Sequence, residues 1–200
     1  SNTAIDKKLA EIYYLKNDFS KAADAYSRFA MGPKANEEDL VRYAFALFLN
    51  HDFAKSLEVA NMGLKKNPRH AAFNRLAMYN NTDLKRFEEA LKAADVFFNE
   101  CDKADYSYLD YMYYGHLLEE LKKYDEAVGQ YEKAVELDPT KTDLYKNISS
   151  VYEQKNDYKK AIGAYHKYYS SLEKEKQTPD LQFQLGRLYY GAGTQPDSLT

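Results

Sequence analysis

The sequence predicts an all-α chain of stacked helical hairpins, and three observations carry that prediction. One pattern is written five times: NDFSKAADAY (17–26), HDFAKSLEVA (51–60), KRFEEALKAA (85–94), KKYDEAVGQY (122–131) and NDYKKAIGAY (156–165). Its aromatic falls on a ruler: Phe19 to Phe53 and Phe53 to Phe87 are 34 residues each, Phe87 to Tyr124 is 37, and Tyr124 to Tyr158 is 34. Between these landmarks the apolar residues keep helical spacing rather than alternation. A fixed period of this length marks stacked units, because one unit alone cannot bury its apolar face.

Counting back from each aromatic places units at about 3–36, 37–70, 71–107, 108–141 and 142–178, with a partial unit over 179–200, so that 1–200 reads as one array. The fourth unit shows the hairpin most plainly. Its first helix carries Tyr111, Tyr114, Gly115 and Leu118, the turn is Leu121 to Lys123, and the second helix carries Tyr124, Ala127, Val128, Tyr131, Ala134 and Val135. Asp138-Pro139 stops it, because the residue before a proline is pushed out of the helical region. Small residues let the two helices close to about 8 Å. The first helices offer Ala10, Ala44, Ala77, Gly115, Ser149 and Gly186, and the second helices offer Ala22, Ser56, Ala90, Ala127 and Ala161. Large residues such as Tyr26, Tyr131 and Tyr165 fill the groove against the next helix. This packing accounts for most of the 20 tyrosines. In the third unit the turn, Asn80 to Arg86, reads one residue longer than the others. The sixth unit stops after one helix, whose Leu181, Leu185, Leu188 and Tyr189 are expected to face no following partner.

Composition narrows the function. Hydrophobic residues at 44% and charged residues at 30% support a packed core and not disorder. A net charge of −3 argues against a nucleic-acid surface. No apolar run reaches the roughly 18–20 residues of a membrane span, and no signal peptide is present. The chain opens on Ser1-Asn2 instead of Met, which reads as a tag remnant or the cut end of something longer. The single Cys101 excludes an internal disulfide.

These units resemble the tetratricopeptide repeat, whose pattern is an aromatic, Leu-Gly and Tyr in helix A, then Tyr, Ala, Tyr, Ala and Pro through helix B. The fourth unit matches through Tyr111, Tyr114-Gly115, Tyr124, Ala127, Tyr131, Ala134 and Pro139. The fifth matches through Tyr145, Tyr152, Tyr158, Ala161 and Tyr165, then departs at Tyr168, where a small Ala is usual. Phe73 to Ala77 fits the third helix A, and Leu185 to Tyr189 the sixth. The resemblance implies an α-solenoid, a right-handed superhelix of five full repeats plus one helix, with the A helices lining a concave face that holds a peptide or extended segment.

No catalytic constellation is legible. His51, His70, His116 and His166 lie in four different repeats, and no Ser or Cys sits in a nucleophile motif. The expectation is therefore a non-enzyme without a cofactor. His116 with Glu119 and Glu120 has helical metal-ligand spacing, but no second His or Cys pair supports a metal. The lysine pairs Lys65-Lys66, Lys122-Lys123 and Lys159-Lys160 fall mostly at helix ends and turns, where the dipole or water takes them. The carboxylate clamp of some family members, which would fall on Lys7, Glu11, Arg42, Ala71 and Arg75, is absent, since only two of these five match and Glu11 would repel a carboxylate.

The resemblance assigns Tyr14, Val41, Phe45, Phe48, Leu49, Met78, Met112, His116 and Glu119 to the inward face as partner-binding residues. The N-terminal part of that face is apolar and the far part acidic, through Glu119, Glu120 and Glu153. Two readings of Phe45 and Phe48 stand: anchors for an apolar segment, or knobs packed on neighbouring helices. The expected function is a non-catalytic scaffold holding a protein or peptide in the groove. The alternative is an assembly module of a longer protein, its groove filled by a missing part or a second copy, with self-association through the bare C-terminal helix.

Overall fold

The computed structural model describes residues 2–102 and 105–193; residues 103–104 of the expected third unit and 194–200 of the sixth lie outside them. Among the described residues there are eleven α-helices and no strand. In chain order they are α1 (Thr3–Leu15), α2 (Phe19–Ser27), α3 (Glu37–Leu49), α4 (Phe53–Lys66), α5 (Ala71–Asp83), α6 (Phe87–Asn99), α7 (Tyr108–Glu120), α8 (Tyr124–Leu137), α9 (Leu144–Gln154), α10 (Tyr158–Ser171) and α11 (Pro179–Gly193). They divide into two compact units, α1 to α6 up to Asp105 and α7 to α11 from Tyr106.

Each hairpin closes with one device. Asn17, His51, Lys85, Lys122 and Asn156 have φ between 59° and 62°, each two residues before the landmark aromatic. At the first of these turns Asn17 N–H donates to Tyr14 O at 3.0 Å and Asp18 N–H to Tyr13 O at 2.9 Å. The same pair of bonds recurs at the other four turns. This is the Schellman arrangement, which satisfies carbonyls the helix end would leave bare. The next helix then starts at once. Asp18, Asp52 and Asp157 accept the N–H of Lys21, Lys55 and Lys160 at 3.2, 3.3 and 3.2 Å, while Arg86 and Lys123 make no such side-chain cap.

The third turn corrects the sequence reading. α5 runs to Asp83 and Lys85 is its left-handed residue, so the turn is as short as the rest. A run as polar as Asn80-Asn81-Thr82 is commoner in turns than in buried helix. In fact Asn81 Nδ2 and Thr82 Oγ1 donate to Ala77 O and Met78 O, both at 2.8 Å, and stay inside the helix. The additional residues of the 37-residue interval fall between α6 and α7.

The small residues close the hairpins, and two do so with a hydroxyl. Ser56 Oγ on α4 donates to Ala44 O on α3, and Ser149 Oγ on α9 donates to Ala161 O on α10, each at 2.7 Å and buried. At Gly115 even a methyl would not fit, since an added Cβ would lie 2.8 Å from the Tyr131 ring. In the first unit the core runs through Ala10, Ala22, Tyr26, Ala44, Val59, Phe73 and Leu76. In the second it passes through Tyr131, Ile148 and Val151, and through Tyr165, Leu188 and Ala192.

α11 corrects two further expectations. Leu188 is fully buried, and Leu181 and Leu185 pack with it against the α10 core residues, so this leucine side has a partner. Gly186 is exposed with nothing within 4 Å of its Cβ position, and Gly191 instead takes the close approach, where an added Cβ would lie 2.5 Å from the Tyr158 ring. The template aligned Gly186 with the other small residues, but they are covered by a second helix of their own hairpin.

Because an L-residue in the left-handed region is strained relative to glycine, Lys85→Gly and Lys122→Gly should each stabilise the protein by about 0.5–1 kcal/mol. Supplying the missing cap with Lys123→Asp should contribute about 1 kcal/mol. Urea titrations followed by circular dichroism measure both effects, and a lowered midpoint for Lys122→Gly would contradict the assignment of the turn.

Candidate functional site

Six of the nine residues assigned to the inward face lie in the first unit. Val41, Phe45 and Phe48 recur at spacings of four and three on α3, and Leu49 follows. Tyr14 sits on α1 one period before Phe48. Their exposures differ. Tyr14, Val41, Phe45 and Phe48 are half-buried against the first unit's core, and Leu49 is 39% exposed. The Phe48 ring lies 5.8 Å from Phe53 and 5.5 Å from Tyr79, and Tyr14 lies edge-on to Phe19 at 5.5 Å. Phe48 therefore fills the seam between α3, α4 and α5. Leu15, one period before Leu49, is 82% exposed and is the most open apolar side chain on α1. Its place one period before Leu49 is the sequence signal that marks it.

Met78 is a correction. It is fully buried, and its neighbours Tyr79, Asn80, Asn81 and Thr82 are buried too, so this stretch of α5 belongs to the core. The template gives a direction for each residue but not how deeply its helix is enclosed.

The charged groups on this face are paired with one another. Lys7 lies 3.2 Å from Asp39, and Arg42 lies 2.7 Å from Glu38 and 4.0 Å from Glu11. What stays open between these pairs is apolar.

Three residues lie in the second unit. Met112 is half-buried against its core. His116 is exposed on α7, with Nε2 3.9 Å from Glu120. Glu119 accepts from Tyr131 Oη on one oxygen and from Gln154 Nε2 on the other, both at 2.7 Å. Glu153 accepts Arg187 at 2.5 Å. The acidic far part of the face is thus largely taken up by internal partners. Spacing alone could not show this, because Gln154 reaches Glu119 from the following hairpin.

Among the described residues no three His, Cys, Asp or Glu side chains converge on a metal position, and no helix is long and apolar enough to cross a membrane. Cys101 is half-buried and accepts Asn74 Nδ2 at 3.4 Å, and burial raises its thiol pKa, which disfavours the thiolate.

Residues 115–156 match a family model described as TPR repeat. Over these residues the chain is similar to the tetratricopeptide repeat. Solved structures agree in fold. MamA 41-end from Desulfovibrio magneticus RS-1 is 18% identical, covers 88% of this chain and 97% of its own, and superposes with a TM-score of 0.73. The C-terminal part of a TPR repeat-containing protein from Cytophaga hutchinsonii is 26% identical over 76% of this chain and 57% of its own, with a TM-score of 0.66. A further MamA crystal structure is 18% identical over 88% of this chain and 95% of its own, at 0.70. No curated protein matches the chain. In the tetratricopeptide frame Tyr131 and Tyr165 are the helix B knobs, and their burial has a titration consequence.

Desolvation raises the pKa of the Tyr26, Tyr131 and Tyr165 phenols above their ordinary 10.0, and the Glu119 carboxylate raises that of Tyr131 further. In the unfolded chain these phenols lose protons near 10, so above that pH the unfolded state binds fewer protons than the folded one. Stability should be fully present below about pH 10 and fall above it. Melting temperatures measured across that range should decline less steeply for Tyr131→Phe than for the wild type, and identical slopes would contradict the Tyr131–Glu119 contact.

Proposed function

We propose that this protein is a non-catalytic scaffold that holds an apolar peptide or extended segment of a partner on the helix A face of its first unit. One observation carries the reading: Leu15 and Leu49, at equivalent positions of α1 and α3, stand exposed beside half-buried Val41 and Phe45. The neighbouring charges are already paired among themselves. Apolar side chains clustered on a wet face are the exception in a soluble fold and favour a partner there. Fully burying an exposed Leu contributes about 1.5–3 kcal/mol, and micromolar binding needs about 8 kcal/mol; Leu15 supplies most of one such term and the partly covered Leu49 and Phe45 only fractions, so hydrogen bonds to the segment supply much of the rest.

The assembly reading keeps one specific support. Phe183 and Tyr190 on α11 are 76% and 78% exposed on either side of the open Gly186, at the place a second helix occupies in the other hairpins. A helix from elsewhere packing there would complete the sixth pair.

Selection from a displayed random-peptide library separates these readings. The wild type should enrich peptides with aromatic or aliphatic anchors, and Phe45→Ser with Leu49→Ser should abolish enrichment while leaving helicity intact. Phe183→Ser with Tyr190→Ser should leave enrichment intact. Phe48→Ser should instead destabilise by about 2 kcal/mol or more, because its ring fills a seam. Equal enrichment by the Phe45/Leu49 variant would refute the binding face.

A further inference from the structure

The second unit carries a cleft lined by none of the residues assigned to the inward face, between α8 and α10, with a volume of about 550 Å³. Its floor is Tyr145, Ile148 and Tyr152 of α9. Its walls have opposite charge: Glu132 and Glu136 on the α8 side, Lys160 and Lys167 on the α10 side. The Lys167 ammonium lies 5.5 Å from the Tyr145 ring centre and that of Lys160 5.6 Å from Tyr152, so both hang over the floor.

On the outer surfaces of these helices stand Gly129 and Gly163. Both are in mid-helix, neither has positive φ, and nothing lies within 4 Å of either Cβ position. Glycine in a helix interior is less stable than alanine, and here no turn or internal neighbour demands it. Gly115 differs, because a ring of its own hairpin excludes a side chain there. The equivalent second-helix positions in the first unit carry Asp24, Glu58 and Lys92. A bare patch of backbone permits close approach by something outside the chain.

The charges say what fits. A uniformly acidic or basic ligand is repelled by one wall. The matching surface presents basic groups opposite α8 and acidic groups opposite α10, which is this cleft turned over. α8 and α10 are two helices apart in an up-and-down chain, so they run the same way. Gly129 and Gly163 are one 34-residue period apart, so they stand at the same height. A two-fold axis parallel to the helices therefore sets Gly129 of one copy over Gly163 of the other, and each acidic wall over a basic wall. We propose that this face is a self-complementary dimer interface, α8 on α10 of a second copy and the reverse. It is independent of the proposed peptide-binding face.

Analytical ultracentrifugation of the whole chain tests it by charge exchange. The wild type should dimerise, and the dissociation constant should rise at least about tenfold for Glu132→Lys with Glu136→Lys, and equally for Lys160→Glu with Lys167→Glu. An equimolar mixture of the two variants should restore the dimer, because each supplies the wall the other lost. Gly163→Arg should also abolish dimerisation without lowering the melting temperature, since it improves helix propensity. A monomeric wild type, variants that dimerise like the wild type, or a mixture that stays monomeric would each overturn the proposal. Loss of peptide binding by Phe45→Ser with Leu49→Ser, with the dimer intact, leaves it standing.

Discussion

The fold rests on a chain reversal of three residues. After helix A, one residue adopts the left-handed conformation, two backbone N–H groups return to the last turn, and helix B begins at the landmark aromatic. That geometry fixes how far helix B starts from the end of helix A, and so which residues meet across the pair. Only with this register do Ser56 and Ala44, Tyr131 and Gly115, and Ser149 and Ala161 stand opposite one another. Tight approach at these points then packs the aromatic knobs against the next helix. The apolar burial that stabilises each unit follows from the turn and is not independent of it.

Much of this was legible in the sequence, because it depends on local spacing. The period, the hairpin, the small residues and the role of the tyrosines all come from positions along one or two helices. What was misread depends on neighbours. Asn80 to Thr82 look like loop residues by composition, yet their side chains bond within α5 and to Ser56, where Asn80 Nδ2 donates at 2.8 Å. Met78 carries the direction of a groove residue but lies where the helix is enclosed. On α11 the leucines face the helix already present, and the aromatics Phe183 and Tyr190 remain open.

The candidate site was legible to a smaller degree, for the same reason. A sequence lists charges without their pairings, so Glu119 and Glu153 read as free acceptors when Tyr131, Gln154 and Arg187 already engage them. The aliphatic pair Leu15 and Leu49 repeats at the period of the array, so Leu15 was readable from Leu49. Size is a poor guide here, since the largest side chains are the ones the fold uses to hold itself together.

None of the five left-handed residues is a glycine. The array is therefore less stable than its own backbone geometry permits, by an amount divided over five places on the chain. In a stack of repeats, stability is approximately a sum of unit terms and nearest-neighbour terms. Exchanging Asn, His, Lys or Gly at one turn shifts the free energy of one hairpin while leaving its packing register alone. These residues lie outside both surfaces assigned to partners. Tolerance to mutation and choice of partner are thus written on separate positions, and sequence drift in one need not disturb the other.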